Sequence, residues 1–264
     1  MDKKKNIYII ILAITSAFFF FYKLGELPLL DPDEPRYAEV AREMGETNDF
    51  LVPYFNYQPR LKKPPLFYWL IFLAYKIFGI NEFSARFPSA LFAFMGVFLT
   101  YLMGKKLYSY FTGFLAGLIL ATSLEYLVLS RLAITDMVLC GFFLSCLFFF
   151  LKYRETRRDI FLLLFWISLA LAFLTKGPVG LLPLLIGLFF MLSERDFSFL
   201  RVFFLRKIYF SSLFFILGLS WYVAVAFKFG FAEMFSLFRY ETIERFGSGY
   251  IHREPFLYFI PVIL

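Results

Sequence analysis

Long apolar runs separated by short polar stretches organise this chain. The runs at 7–22, 84–104, 111–130, 132–151, 160–174, 179–192 and 208–227 approach the roughly 20 apolar residues that carry a helix across a bilayer core. They predict seven membrane-spanning helices. An eighth run opens at Pro255 and is still apolar at Leu264, so the expectation is an incomplete eighth span in the N-terminal part of a longer protein. The segment 64–79, PPLFYWLIFLAYKIFG, is apolar as well. Its 15 or so helical residues reach only about 22 Å, short of the roughly 30 Å hydrocarbon core. It is expected as a membrane-embedded or interfacial helix.

Composition supports this reading. Of 264 residues, 61% are apolar and 18% charged, against roughly 45–50% and about 25% in soluble chains. Disordered, collagen-like and disulfide-scaffold classes are excluded. The 41 phenylalanines read as lipid-facing filler. Cys140 and Cys146, six apart in one apolar run, have neither redox nor metal spacing, and one histidine, His252, argues against multi-histidine zinc chemistry. The net charge of +7 suggests nucleic acid only until the charges are placed. They cluster at the ends of apolar runs, as cytoplasmic anchors do.

Lys3, Lys4 and Lys5 precede the first run, which reads as a retained signal anchor with its N-terminus inside. Inner loops then hold Lys105 and Lys106, then Lys152, Arg154, Arg157 and Arg158, then Arg195, Arg201, Arg206 and Lys207. The 27 basic residues divide almost equally between the sides. Density decides, because the inner loops are short and the rule applies to short loops. The remaining polar clusters, 25–63, 131–136, 176–178 and 228–254, all fall on the outer side. The chain reads as one transmembrane module, 1–264, with a first outer loop at 23–83 and a last one at 228–254.

The first outer loop contains DPDEPRYAEVAREMGET. Asp31 as N-cap, Pro32 at the first position and Glu34 three residues on predict a helix start, and Gly45 predicts its end after Met44. Tyr37, Val40, Ala41 and Met44 form an apolar stripe; Glu39, Arg42, Glu43 and Glu46 form the wet face. Asp33, four residues before Tyr37, belongs to the stripe, with Arg36 spaced to pair with it. A carboxylate held at the membrane boundary is expensive unless used, which marks Asp33 as a functional candidate; a second cap or a structural ion pair is the alternative. Further along, Arg60, Lys62 and Lys63 precede Pro64 and Pro65. They are snorkelling cations, or a lysine aimed by the two prolines at an interfacial anion.

DPDEPRYAEVAREM followed by LKKPPLFYW resembles the signature of lipid-phosphate-sugar-dependent glycosyltransferases of the GT-C fold. The nearest branch is the lipid A aminoarabinose transferases, with the protein mannosyltransferases further off. The resemblance continues through Thr135–Asp136, TKGPVGLLP and the ERF…HREP loop, and so covers essentially the whole chain. Members are about twice this length and add a soluble C-terminal domain. The resemblance implies an all-α polytopic GT-C module. It places the catalytic aspartate on Asp33 and the arginine and tyrosine after it on Arg36 and Tyr37. The phosphate-contacting lysine falls on Lys63. An acidic metal ligand that can stand before that lysine is replaced here by Lys62, which argues against a divalent metal at this place. A second acidic residue falls on Asp136, which otherwise reads as an N-cap. Lys176 reads equally as an interfacial anchor or a ligand. In the last loop, Arg245 is the preferred second phosphate ligand, because a guanidinium matches phosphate oxygens bidentately. His252 and Arg253, with Glu34, Lys62 and Lys176, are possible acceptor or loop contacts, and a lone interfacial histidine is more often hydrogen-bonded than metal-bound.

The expectation is therefore an inner-membrane glycosyltransferase of a bacterium, its site facing the periplasm. It would move a sugar from polyprenyl (undecaprenyl) phosphate to a glycolipid, glycan or protein among membrane lipids, without nucleic acid. A polyprenyl-lipid flippase or a solute transporter is the alternative from another class.

Overall fold

An apolar stripe faces outward on the first helix. In α1 (Asp2–Phe21), Ile7, Ile10, Ile14 and Phe18 are exposed, while Leu12, Ser16 and Phe20, spaced by four, are buried. Outward apolar stripes on a helix are what a bilayer, not water, stabilises. This computed structural model describes residues 2–195, 203 and 208–239. The chain divides into two units, Met1–Trp221 and Tyr222–Leu264.

In the first unit, α2 (Asp33–Thr47) is followed by a two-residue antiparallel ladder of β1 (Tyr54–Phe55) with β2 (Gln58–Pro59). Next come α3 (Leu66–Phe78), α4 (Glu82–Leu107), α5 (Tyr110–Thr122), α6 (Leu124–Ser130), α7 (Thr135–Thr156) and α8 (Asp159–Lys176). A 3-10 turn, Gly177–Leu181, leads into α9 (Leu182–Ser193). After it come α10 (Ile208–Leu213), a π turn at Phe214–Gly218 and α11 (Ser220–Phe229), which crosses into the second unit. There α12 (Phe231–Arg239) exposes Phe231 and Phe235. Among the described residues the regular structure is helical apart from the small hairpin, an element the sequence reading lacked.

By length and apolarity, three runs among the described residues can cross a membrane: Glu82–Leu107, Thr135–Thr156 and Asp159–Ser193. They become five if each bent pair counts as one span: Tyr110–Thr122 with Leu124–Ser130 (64°), and Ile208–Gly218 with Ser220–Phe229 (42°). Asn6–Phe21 is shorter, as is Leu66–Phe78, the helix expected to be embedded rather than spanning. The run Asp159–Ser193 folds back on itself. Lys176 at the end of α8 meets Asp136 at the start of α7, whereas Arg154 and Phe150 near the end of α7 meet Glu194 and Phe190 at the end of α9. Thus α8 and α9 run antiparallel, with Gly177 and Pro178 at the bend, where the sequence placed a turn. The expected eighth run lies outside the described residues.

Among the described residues, two clusters of buried side chains help to hold the unit. Leu12, Phe20 and Leu24 pack with Ala90, Ala93, Val97, Tyr101, Ala121, Tyr126 and Met137. The buried stripe of α2 (Ala38, Val40, Ala41, Met44) packs on Phe67, Tyr68, Ile71 and Tyr75 of α3, Ala85 of α4, and Ala133 and Val138 beside and in α7. Helices α4 and α5 touch backbone to backbone: a Cβ on Gly113 would lie 2.5 Å from Lys105 N and Tyr101 O. Many phenylalanines are therefore core, Phe20, Phe67 and Phe165 among the fully buried ones, rather than lipid-facing filler alone.

Candidate functional site

A buried ion pair fixes where α2 begins. Glu34, 2% exposed, meets Arg86, 4% exposed, through two hydrogen bonds: Nε to Oε1 at 2.9 Å and Nη2 to Oε2 at 2.8 Å. The carboxylate also accepts from the Ala133 amide (2.6 Å) and the Leu30 amide (2.9 Å). Arg86 donates further to the carbonyls of Leu24, Leu27 and Pro28. One knot thus ties the 24–30 loop, α2, α4 and the approach to α7. Burial works against the charge on Glu34. The Arg86 hydrogen bond, the two backbone amides and the guanidinium's charge outweigh it and hold the carboxyl below its ordinary value.

This arrangement corrects the sequence reading at several positions. Asp31 is not the cap: Pro32 stands at the N-cap without a side-chain hydrogen bond. Glu34 is neither a capping-box residue nor an acceptor contact, because it is sealed inside the protein. Since neighbouring helical side chains diverge by about 100°, burying Glu34 turns Asp33 outward, and its side chain is 61% exposed. Asp33 is therefore not part of the buried stripe. Glu43 leaves the wet face: it is fully buried and accepts from the Tyr57 amide (2.9 Å), because the β1–β2 hairpin lies over that side of α2. The helix passes Gly45, where a Cβ would meet Phe72 at 2.6 Å, and ends at Thr47 with Asn48 left-handed (φ 53°).

The first turns of α2 turn Asp33 outward beside Arg36 and pack Tyr37 against α3, its ring 5.3 Å from that of Phe67 and 5.8 Å from that of Tyr68. Arg36 Nη1 donates to Asp33 Oδ1 at 3.1 Å, the pairing the spacing predicted. Tyr37 lies where Asp33, Asp136, Arg60 and Thr135 all act on it. Burial pushes its hydroxyl up to about 12; the Thr135 hydrogen bond pulls down, the two aspartates push up and Arg60 pulls down. At the start of α7, Asp136 does not cap the helix, since Ile134 occupies that position. It accepts instead from Lys176 Nζ at 2.7 Å, so Lys176 is a partner of Asp136 rather than a bare anchor. Two carboxylates, Asp33 and Asp136, thus share one end of the bundle with Arg36, Arg60 and Lys176, drawn from α2, the loop after β2, and α8. Lys63 is half-buried and Lys62 exposed just before Pro64.

Among the described residues no three His, Cys, Asp or Glu side chains gather to hold a metal ion. Arg245, His252 and Arg253 lie outside the described residues. Sequence reasoning missed Arg86 altogether. Its signal was a lone arginine inside an apolar run, which demands a partner, though nothing in the order of residues says which carboxylate that is.

Residues 62–222 match the family model for dolichyl-phosphate-mannose-protein mannosyltransferase. An uncharacterized protein of Aquifex aeolicus (strain VF5) is 37% identical over 99% of this chain and 59% of its own length. The undecaprenyl phosphate-alpha-4-amino-4-deoxy-L-arabinose arabinosyl transferase 2 of Proteus mirabilis (strain HI4320) is 29% identical over 100% of this chain and 48% of its own. Among solved structures, ArnT from Cupriavidus metallidurans bound to undecaprenyl phosphate superposes with a TM-score of 0.81 at 24% identity. That match covers 90% of this chain and 44% of the other, and shares the fold. The chain spans about half the length of the curated relatives it matches.

Proposed function

Taking as premise that this chain belongs to the dolichyl-phosphate-mannose-protein mannosyltransferase family, and is an integral membrane protein, we propose that it forms the membrane part of a glycosyltransferase. The donor is a sugar on a polyprenyl phosphate, as the name of the Proteus relative suggests. The acceptor is a glycolipid, glycan or protein at the outer face of a bacterial inner membrane. Seven spans, with α1 and α9 counted as two of them, bring the site to that face.

One observation carries this reading. Asp33 pairs with Arg36 and Asp136 with Lys176 at the end of the bundle opposite Lys105, Lys106, Lys152 and Arg154, and the charges of both aspartates reach Tyr37. In transfer, the acceptor oxygen attacks the anomeric carbon and gives its proton, if it carries one, to Asp33. The bond from that carbon to the phosphate oxygen breaks, its electron pair stays on the phosphate, and polyprenyl phosphate departs. Arg36 and Lys63 stabilise the charge that develops there, and Asp136 with Lys176 orients acceptor or base. Asp33 suits the task because it is open to incoming substrate, whereas Glu34 beside it is locked in the frame.

The experiment is Asp33→Asn in purified, membrane-inserted protein supplied with a polyprenyl-phosphate sugar and an acceptor extract. Expression stays normal and transfer falls by at least about a hundredfold, the scale of general-base loss. Transfer at the wild-type rate ends the assignment. Release of free polyprenyl phosphate only when acceptor is present distinguishes transfer from lipid translocation.

A further inference from the structure

The start of α3 carries polar groups that the mechanism above leaves unused. Tyr68 is 1% exposed, yet its hydroxyl has no hydrogen-bond partner among the described residues, and neither has the buried Nε of Arg60. The two belong to one place: the Arg60 guanidinium lies beside the Tyr68 hydroxyl and acts on Tyr37 as well, and the rings of Tyr37 and Tyr68 are 5.8 Å apart. A guanidinium has only donors to offer. What the pair lacks is therefore an acceptor.

Three further features give that acceptor a negative charge. Helix α3 begins after Pro65 with no side-chain cap, so its first-turn amides and the positive end of its dipole remain available. Tyr68 stands in that first turn, where a long helical side chain leans toward the N-terminus. Arg36, Arg42, Arg86 and Lys176 all have carboxylates within 4 Å. Arg60 is held instead by its amide on the Pro53 carbonyl (2.7 Å) and by Phe55, 5.7 Å from its guanidinium. These contacts set its position, and no described carboxylate lies within 4 Å of it, as one does of each of the other four. An orphaned buried donor is costly, and a charge-assisted hydrogen bond recovers more than a neutral one.

We propose that Arg60 Nε and the Tyr68 hydroxyl, at the uncapped start of α3, form a seat for one oxygen of a phosphate monoester or diester borne by a lipid-linked substrate. This rests on the glycosyl-transfer reading for the identity of the substrate, not for the seat itself. The phosphate belongs to the polyprenyl donor or to a phosphorylated glycolipid acceptor. Both present the same oxygens, and the seat positions them without entering the bond changes.

Arg60→Gln, Arg60→Lys and Tyr68→Phe test it in the purified membrane protein, with undecaprenyl phosphate as binding probe and donor and acceptor varied separately in steady-state transfer. Arg60→Gln raises one Michaelis constant about tenfold or more and Tyr68→Phe raises the same one severalfold, the range for losing a charged and a neutral hydrogen bond. Arg60→Lys falls between. If undecaprenyl phosphate binding weakens in parallel, the seat takes the donor; if only the acceptor constant moves, it takes the acceptor. Without ligand, Tyr68→Phe melts at the wild-type temperature or above, because it removes an unsatisfied hydroxyl. Wild-type binding and both constants unchanged in Arg60→Gln and Tyr68→Phe overturn the seat, as does marked destabilisation of ligand-free Tyr68→Phe. An active Asp33→Asn that still binds undecaprenyl phosphate through Arg60 overturns the transfer chemistry alone.

Discussion

Asp33 and Glu34 are neighbours with opposite fates, and the difference is one of angle. Successive side chains on a helix point about 100° apart, so the one that enters the Arg86 knot leaves the other facing out. Removing one partner of a buried pair strands the second charge, at about 3–5 kcal/mol. Glu34→Gln therefore lowers the melting temperature by several degrees or more, with Arg86→Gln similar, and both lose transfer through misplaced α2. The pH dependence has a definite sign. The folded carboxyl of Glu34 is held below the ordinary 4.5, so its stabilisation is complete above that value and fades as pH falls through the lower folded one. Thermal melts between pH 7 and 3 should show the gap between wild type and Glu34→Gln closing on the acid side. A constant gap would mean that Glu34 does not act as a carboxylate.

At the level of elements, the stripe at Tyr37, Val40, Ala41 and Met44 was readable because helical period alone fixes which side chains share a face. The opposite face was not. Glu43 looked solvated until a hairpin closed over it, with Tyr57 donating its amide and its hydroxyl to Glu43 and Glu46. The hairpin escaped notice because its ladder is only two residues long on each side, too short for any alternation to register. Gly45 misled for the same kind of reason: a glycine in a helix can end it or admit a neighbour, and here it admits Phe72. The α4–α5 crossing makes the sharper prediction. With backbone atoms 2.5 Å from a Cβ at Gly113, Gly113→Leu has to separate the two helices. It should destabilise the protein by about 2 kcal/mol or more and reduce its yield in membranes, while Leu115→Ala on the exposed side of α5 should do neither.

Among the described residues of the first unit, ion pairs gather at two opposite ends of the bundle. Lys106 meets Glu155 and the Leu151 carbonyl at 3.1 Å, and Arg154 meets Glu194, all at the end remote from Asp33 and Asp136. If that sorting reflects the bilayer, cysteines placed at exposed Glu26 and exposed Arg158 in intact cells report opposite sides. A membrane-impermeant maleimide labels the first from outside and the second only after lysis. Equal labelling would refute the orientation. The sequence by itself determined the helical membrane class, the shortness of α3, the α8–α9 turn and the Asp33–Arg36 pair. All of these follow from local length, period and spacing. Tertiary structure alone decided that Glu34 is frame while Asp33 is open, that Arg86 and Lys176 are the partners of Glu34 and Asp136, and that Arg60 faces Tyr68. Those pairings join residues 52, 40 and 8 positions apart, and what selects them is the cost of leaving a buried charge or donor unanswered, which only the packed chain can settle.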